Sequence, residues 1–158
     1  MKINNNILLL ICVMVLIVLC GASIMKPMRF NKEKRLREAA VKERLISIRQ
    51  AEEKYKAQTG AYTGDFATLV DAGLLADSMR YVPFSGGKEF TLGATAEVNS
   101  QGQDITLMEC GATYDVYLQG LDPNDIAELQ EDAEAKEQYP GLRIGNLEHP
   151  NGNAGNWE

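Results

Sequence analysis

The sequence predicts an α+β protein from three patterns: a long apolar run, an amphipathic helical stretch and a segment of alternating residues. Residues 7–25 contain nineteen consecutive positions without a charge. At about 1.5 Å rise per residue, a helix of that length spans roughly 28 Å, close to the ~30 Å hydrocarbon core of a bilayer. We therefore expect a transmembrane helix at 7–25, preceded by an N-terminal cap at 1–6.

The apolar run has two open interpretations. One is a permanent single-pass anchor, and the other is a cleaved signal peptide with Lys2 before it and small residues at its end. The length of the run and the single preceding Lys favour the anchor. Small residues also allow close approach of neighbouring helices, which predicts an assembly surface at Gly21, Ala22 and Ser23.

Basic and acidic residues are distributed unevenly along the chain. Up to Lys56 there are twelve Lys or Arg against five Asp or Glu, and from Gln58 onward four against seventeen. The residues that follow the apolar run predict a basic collar at anionic lipid head groups: Lys26, Arg29, Lys32, Lys34, Arg35 and Arg37. The acidic distal part has no basic patch, which argues against nucleic-acid binding. Positive charge after the run favours a cytosolic domain, but long domains cross regardless, so orientation stays open.

A second helical pattern follows Pro27, which either kinks the junction or starts the new helix. From Asn31 to about Gln58, apolar residues recur at spacings of three and four and form one stripe: Leu36, Ala40, Val41, Leu45, Ile48, Ala51 and Tyr55. We expect Asn31 to cap this helix and Gly60 to end it. Because its stripe must be buried, we predict that the transmembrane helix continues into an amphipathic helix packed on a sheet.

Between residues 90 and 118 the apolar period changes to two, which is typical of antiparallel strands. The even positions of 90–98 are apolar and predict a half-buried strand. A turn at 99–103, a strand at 105–110 and a strand at 114–118 follow, with Gly111 as a break or bulge. We expect this meander to be covered by the long helix, with Leu45 and Ile48 against Phe90, Leu92 and Val98.

Capping residues predict two shorter helices. Asp65 begins the first, whose apolar side and end are formed by Phe66, Leu69, Val70 and Gly73. Asp122 and Pro123 begin the second, which is acidic and largely solvated.

The α+β domain is expected to cover residues 26–140. The remaining tail, 141–158, contains Asn-Gly pairs and reads as loop. Within it, Leu142, Ile144 and Leu147 could add one extra strand.

Little in the sequence indicates catalysis. The single histidine, His149, lies beside Pro150 in the tail, and we expect it to be exposed. Cys110 is the one cysteine outside the apolar run and is expected to be a buried structural thiol. Asp122 and Asp125 could bind calcium, but helix capping explains Asp122 without a metal. We therefore expect a non-enzymatic protein with no cofactor and no small-molecule substrate.

The N-terminal half combines several motifs in order: the apolar helix, Lys32-Glu33-Lys34, an amphipathic continuation with Ala51 and Tyr55, Gly60-Ala61-Tyr62, Leu69 and Gly73-Leu74-Leu75. In these features it resembles the type II secretion pseudopilins and the type IV pilins. The resemblance implies a pilin-like fold, in which a long N-terminal helix packs on a small sheet and the helices bundle into a periplasmic filament. The prepilin peptidase motif is missing, since Asn4-Asn5-Asn6 leads directly into Ile7. We therefore expect the N-terminus to be retained.

These features together predict a structural subunit of a cell-envelope assembly, such as a secretion or pilus-like system. It is expected to be a single-pass protein of the cytoplasmic (inner) membrane with a periplasmic domain. Its expected partners are membrane lipid and other protein subunits, including copies of itself. Two alternatives stay open: an anchored adaptor that presents its acidic helix to a protein partner, and a secreted binding domain released by signal peptidase.

Overall fold

The fold combines one long N-terminal helix with a small antiparallel sheet. The computed structural model describes residues 5–98 and 104–158, and the side chains of residues 5, 22–25, 97, 98 and 104 lie outside this description. The chain forms two compact units, Met1–Arg35 and Leu36–Glu158. In chain order the elements are α1 (Asn5–Thr59), α2 (Phe66–Asp71), a 3₁₀ helix (Asp77–Arg80), β1 (Thr91–Val98), β2 (Asp104–Thr113), α3 (Tyr114–Tyr117), α4 (Pro123–Ala135) and β3 (Gly141–Gly145).

Helix α1 is continuous, which confirms that the apolar helix continues into the amphipathic one. The predicted helix start at Asn31 is wrong. Pro27 lies inside α1. A proline removes one backbone hydrogen bond, and a helix can continue through it when the residues on both sides favour helix. The predicted end is confirmed, because Gly60 has a φ of 93° and its N–H donates to the Lys56 carbonyl at 2.8 Å.

The apolar stripe of α1 supplies much of the core of the second unit. Val41, Leu45, Ile48 and Ala51 are buried, as predicted. Leu36, at the start of the same stripe, is 54% exposed and is not part of the core. It is the first residue of the second unit, and the buried part of the stripe begins further along the helix.

The sheet has the order β1-β2-β3, and both pairings are antiparallel. Strand β1 confirms the predicted strand, although its burial does not alternate, since Gly93 and Thr95 are half-buried and Ala96 is exposed. Strand β2 runs through Gly111 without the predicted break. Gly111 keeps its register with Thr91 on one side and Arg143 on the other. A Cβ at Gly111 would lie 2.9 Å from the Tyr139 hydroxyl oxygen, so close packing explains this glycine. The predicted turn at 99–103 lies outside the described residues.

The third strand of the sheet is β3, and the strand predicted at 114–118 is wrong. The chain leaves β2 at Tyr114, whose N–H donates to the Pro140 carbonyl at 2.9 Å, and it then forms the short helix α3. Strand β3 confirms the extra strand that the sequence allowed within the tail, and Leu142 and Ile144 are buried in it. Leu147 lies beyond the end of this strand.

One face of the sheet carries apolar residues from all three strands. Residues paired across the strands share it: Cys110 is opposite Leu92 and Ile144, and Met108 is opposite Ala94. Met108, Cys110 and Ile144 are completely buried. Burial raises the pKa of the Cys110 thiol well above its usual range, and the charge of Glu52 on α1 raises it further. Helix α1 therefore lies close to this face.

The specific contact of Leu45 and Ile48 with Phe90 and Leu92 stays a prediction. Phe90 is buried and Leu92 is half-buried, which is compatible with it. The side chain of Val98, the third predicted partner, lies outside the described residues.

Both shorter helices begin where their capping residues predict, and α2 also ends as predicted, at Gly73. The Asp65 carboxylate accepts from the Thr68 N–H at 2.8 Å, and the Leu74 N–H donates to the Leu69 carbonyl at 3.0 Å to close α2. At α4, the Asp122 carboxylate accepts from the Asn124 N–H at 3.0 Å, with Pro at the first helical position. Helix α4 is largely exposed, with Ala133 as its buried residue, and is therefore the predicted acidic surface helix.

Candidate functional site

The first candidate site is the apolar segment of α1. The large apolar side chains of residues 7–19 are each 45–67% exposed. The most apolar window of the helix has a mean hydropathy of 3.2, and within the described part of the chain α1 is the single helix long and apolar enough to cross a membrane. Such a surface is stable only when lipid or another protein covers it. The segment is therefore a candidate single-pass membrane helix.

The structure describes one of the three predicted assembly residues fully. A Cβ added to Gly21 would meet no described atom within 4 Å, so this side of the helix is open to a neighbour. The side chains of Ala22 and Ser23 lie outside the described residues. Their role in helix–helix contact stays a prediction.

Four residues of the basic collar are exposed, and the other two are half-buried. Lys26, Arg29, Lys32 and Arg35 are exposed. Lys34 and Arg37 are half-buried, and both take part in polar contacts within the structure. The exposed four fit the predicted interaction with lipid head groups, whereas the other two also have partners in the protein.

Arg37 fastens α1 to the segment that follows the sheet. Its Nη1 donates to the carbonyl of Tyr117 at 3.1 Å and to that of Gln119 at 2.9 Å. These carbonyls lie at the C-terminal end of α3, where a cation is favourable. The guanidinium also lies 5.0 Å from the ring centroid of Phe84, a residue with a φ of 63° and an exposed ring. Arg37 is therefore a structural residue of the domain as well as a collar residue.

Two more arginines on α1 hold loops in the same way. Arg44 Nη1 donates to the carbonyl of Ser78 at 3.1 Å and to that of Tyr81. Arg49 Nη1 donates to the Asn153 carbonyl at 3.1 Å and forms an ion pair with Glu158 at 3.1 Å. The polar side of α1 thus binds loops from three regions of the domain and is not simply solvated.

The C-terminal segment 151–158 packs against the domain and pairs with the outer edge of β3. The Gly145 N–H donates to the Ala154 carbonyl at 3.1 Å, and the Asn156 N–H donates to the Arg143 carbonyl at 3.0 Å. The Asn156 side chain accepts from the Arg143 N–H at 3.2 Å and donates to the Gly141 carbonyl at 2.9 Å. One amide side chain therefore takes the place of a peptide group and covers the strand edge.

A buried carboxylate connects α1 to the loop that follows it. Glu52 is completely buried on α1, and its two oxygens accept from the N–H of Thr63 at 2.9 Å and of Gly64 at 3.0 Å. Gly64 has a φ of 62°, and a Cβ there would lie 2.6 Å from the backbone nitrogen of Ala94. The carboxylate therefore holds the loop after α1 directly against β1. We call this arrangement the Glu52 latch.

The environment of the Glu52 latch opposes its negative charge. Burial raises the pKa of Glu52 above 4.5, the two backbone hydrogen bonds lower it, and the nearby charge of Asp65 raises it again. The net shift is upward. The two hydrogen bonds thus partly offset the cost of removing the Glu52 carboxylate from water.

Sequence reasoning missed the latch, although a signal was present. Glu52 follows Ile48 by four residues and Leu45 by seven, so it falls within the apolar stripe of α1. A carboxylate at such a position must have a partner when the stripe is buried. The two glycines of the loop at Gly60 and Gly64 mark where the backbone can turn back to supply it.

The residues considered for catalysis or metal binding are dispersed. His149 is exposed, as predicted, and Cys110 is buried without a disulfide. Asp122 is occupied as a helix cap. Among the described residues, no group of three or more His, Cys, Asp or Glu side chains is placed to hold a metal ion.

Comparison with known proteins gives no match: no protein-family model, no curated protein and no solved structure is similar to this chain.

Proposed function

We propose that this protein is a membrane-anchored, pilin-like structural subunit that works by assembly of its N-terminal helices. The observation that carries the proposal is the continuity of α1 from the apolar segment into the core of the domain. A tether needs only apolar length and a flexible connection. A subunit of a helical assembly needs a helix whose position is fixed relative to the surface that it presents.

The contacts of α1 within the domain support this proposal. The helix contributes Val41, Leu45, Ile48 and Ala51 to the core, and Arg37, Arg44 and Arg49 bind three separate loops. The Glu52 latch adds a buried polar connection. Within the domain, α1 is therefore held by both apolar packing and polar contacts.

Exposed apolar side chains on α1 beyond the apolar segment also favour contact with neighbouring subunits. Met28 is 66% exposed and Leu36 is 54% exposed. Both lie on a helix that carries many charged residues at this point, and neither belongs to the core. In the proposed assembly they pack against α1 of adjacent copies in the cytoplasmic membrane, with the domain on the periplasmic side.

A second candidate is an anchored adaptor that binds a protein partner through α4. The exposed carboxylates of this helix favour it: Glu128, Glu131, Asp132 and Glu134. Labelling of a cysteine introduced at an exposed position of α4 in intact cells distinguishes the two. A periplasmic domain is labelled by a membrane-impermeant reagent, and a cytosolic adaptor is not.

Substitution of the small residues tests the assembly proposal. We expect Gly21→Leu and Ala22→Leu to weaken self-association of the membrane segment, because a large side chain keeps neighbouring helices apart. Leu10→Ile preserves volume and serves as the matched control. A transmembrane dimerisation reporter gives the measurement, and equal signals from all variants would contradict a role for these residues.

A further inference from the structure

Part of β2 has a partner strand on one side only. Strand β1 pairs with β2 along Asp104–Gly111, whereas β3 pairs only with Glu109–Thr113. Residues 104–108 therefore have β1 beside them on one side and no strand of the described chain on the other.

The hydrogen-bonding direction of this stretch follows from the geometry at the far end of β2. The Tyr114 N–H donates to Pro140 on the β3 side, and a Cβ on Gly145 of β3 would meet the Met108 carbonyl oxygen. Even-numbered residues of β2 thus direct N–H and C=O towards β3, and the direction alternates along a strand. The N–H and C=O of Thr106 therefore point to the open side.

A cleft of about 490 Å³ lies at this open side. Segments distant in sequence form its walls: the end of α1, the following loop, β2, the residue after β3 and the C-terminal segment. They contribute Lys56, Tyr62, Ile105, Thr106, Leu107, Asn146 and residues 150–153. Its volume lies within the ~300–1,000 Å³ typical of ligand sites.

The side chains of the cleft are suited to a peptide with one acidic group. Lys56 is the single charged side chain among the described lining residues, and its ammonium lies 4.4 Å from the centroid of the Tyr62 ring. The Tyr62 oxygen accepts from Asn153 Nδ2 at 2.7 Å, which leaves the Tyr62 proton for a ligand acceptor. Ile105 and Leu107 add apolar surface beside the open edge.

We propose that this cleft binds an extended acidic peptide segment of a partner protein, which adds to β2 as a strand beside Thr106. The peptide backbone pairs with the N–H and C=O of Thr106, and a carboxylate of the peptide binds Lys56. The edge of β3 is not available in this way, because Asn156 covers it. The open stretch of β2 is therefore a place where the sheet can accept a further strand.

Selection from a display library of random linear peptides against the full-length protein in detergent tests the proposal. We expect enriched peptides to contain Asp or Glu and to bind as individual synthetic peptides. Lys56→Glu is expected to weaken that binding about tenfold or more, since it replaces attraction by repulsion. The matched control is Lys54→Glu, an exposed position on the same helix outside the cleft, with less than about twofold effect.

Amide hydrogen exchange locates the added strand. The Thr106 amide is expected to exchange quickly in the free protein and to become protected with the selected peptide bound. The Leu107 amide, directed towards β1, is protected in both states. Absence of acidic peptides from the selection, equal binding to Lys56→Glu, or an unchanged Thr106 amide would overturn the proposal.

Discussion

Replacement of Glu52 by Ala is expected to lower the free energy of unfolding of the domain by about 3 kcal/mol. The substitution leaves the N–H groups of Thr63 and Gly64 without their acceptor in a partly buried place, and each unsatisfied buried group costs ~1–3 kcal/mol. Urea unfolding of the full-length protein in detergent gives the measurement. The fluorescence of Trp157, the single tryptophan, reports on the packed C-terminal segment.

Glu43→Ala is the matched control for this substitution. Glu43 lies on the same helix but is exposed, so its removal should change stability by no more than ~0.5 kcal/mol. If Glu52→Ala were as mild as Glu43→Ala, the Glu52 latch would not hold the loop against β1.

The pH dependence of stability gives a second readout of the same carboxyl. Because the pKa of Glu52 is raised on folding, its protonated form is favoured in the folded state. The stabilisation linked to this shift is complete below the unfolded value near 4.5 and is lost as pH rises through the raised value. Glu52→Gln does not titrate, so the stability of the native protein relative to this variant should fall over that range. Parallel pH curves would contradict the shift.

Leu45→Ala is expected to destabilise the domain by about 2–5 kcal/mol. Leu45 is completely buried in the stripe of α1, and truncation of such a side chain removes apolar contacts and leaves a cavity. Urea unfolding of the same full-length protein measures the change. A reduced midpoint without a change in slope would show a loss of stability in an otherwise similar fold.

Leu36→Ala is the matched control, because it is the same substitution on the same helix. Its side chain is 54% exposed, so the cost should be small. Equal effects at Leu36 and Leu45 would contradict the placement of the core, since the sequence pattern alone gives both residues the same role.

Local signals predicted the parts of the fold that depend on neighbouring residues. The caps at Asp65 and Asp122 and the helix end at Gly60 are short-range features, and each was predicted at its observed position. The burial of Val41, Leu45 and Ile48 follows from helical periodicity, which needs no knowledge of the partner surface.

The errors arise where distant segments decide the outcome. Residues 114–118 have the composition of a strand, but β3 occupies the place beside β2 and Tyr114 turns away from the sheet. The glycine at position 111 suggested a bulge. In the structure it is required because the side chain of Tyr139, far along the chain, packs against it, and the sequence pattern does not show that contact. The packing of residues 151–158 was not predicted, because it depends on contacts with Arg49 and on the side chain of Asn156.

For the candidate sites, too, features set by neighbouring residues were predicted and features set by distant segments were not. The apolar segment was evident from composition, and its exposed side chains in the structure agree with a membrane helix. The loop contacts of Arg37 and Arg49 and the cleft beside Thr106 depend on the positions of loops, which local sequence patterns do not define.

Cysteine crosslinking in cells tests the central claim, assembly through the N-terminal helix, most directly. Single cysteines are placed along residues 8–23 after Cys12 and Cys20 are replaced by Ala, and the protein is kept at its native expression level. The proposal predicts crosslinked dimers from positions on one helical face that includes residues 21 and 22. Absence of crosslinks, or equal crosslinking around the whole helix, would contradict assembly and leave an anchored domain.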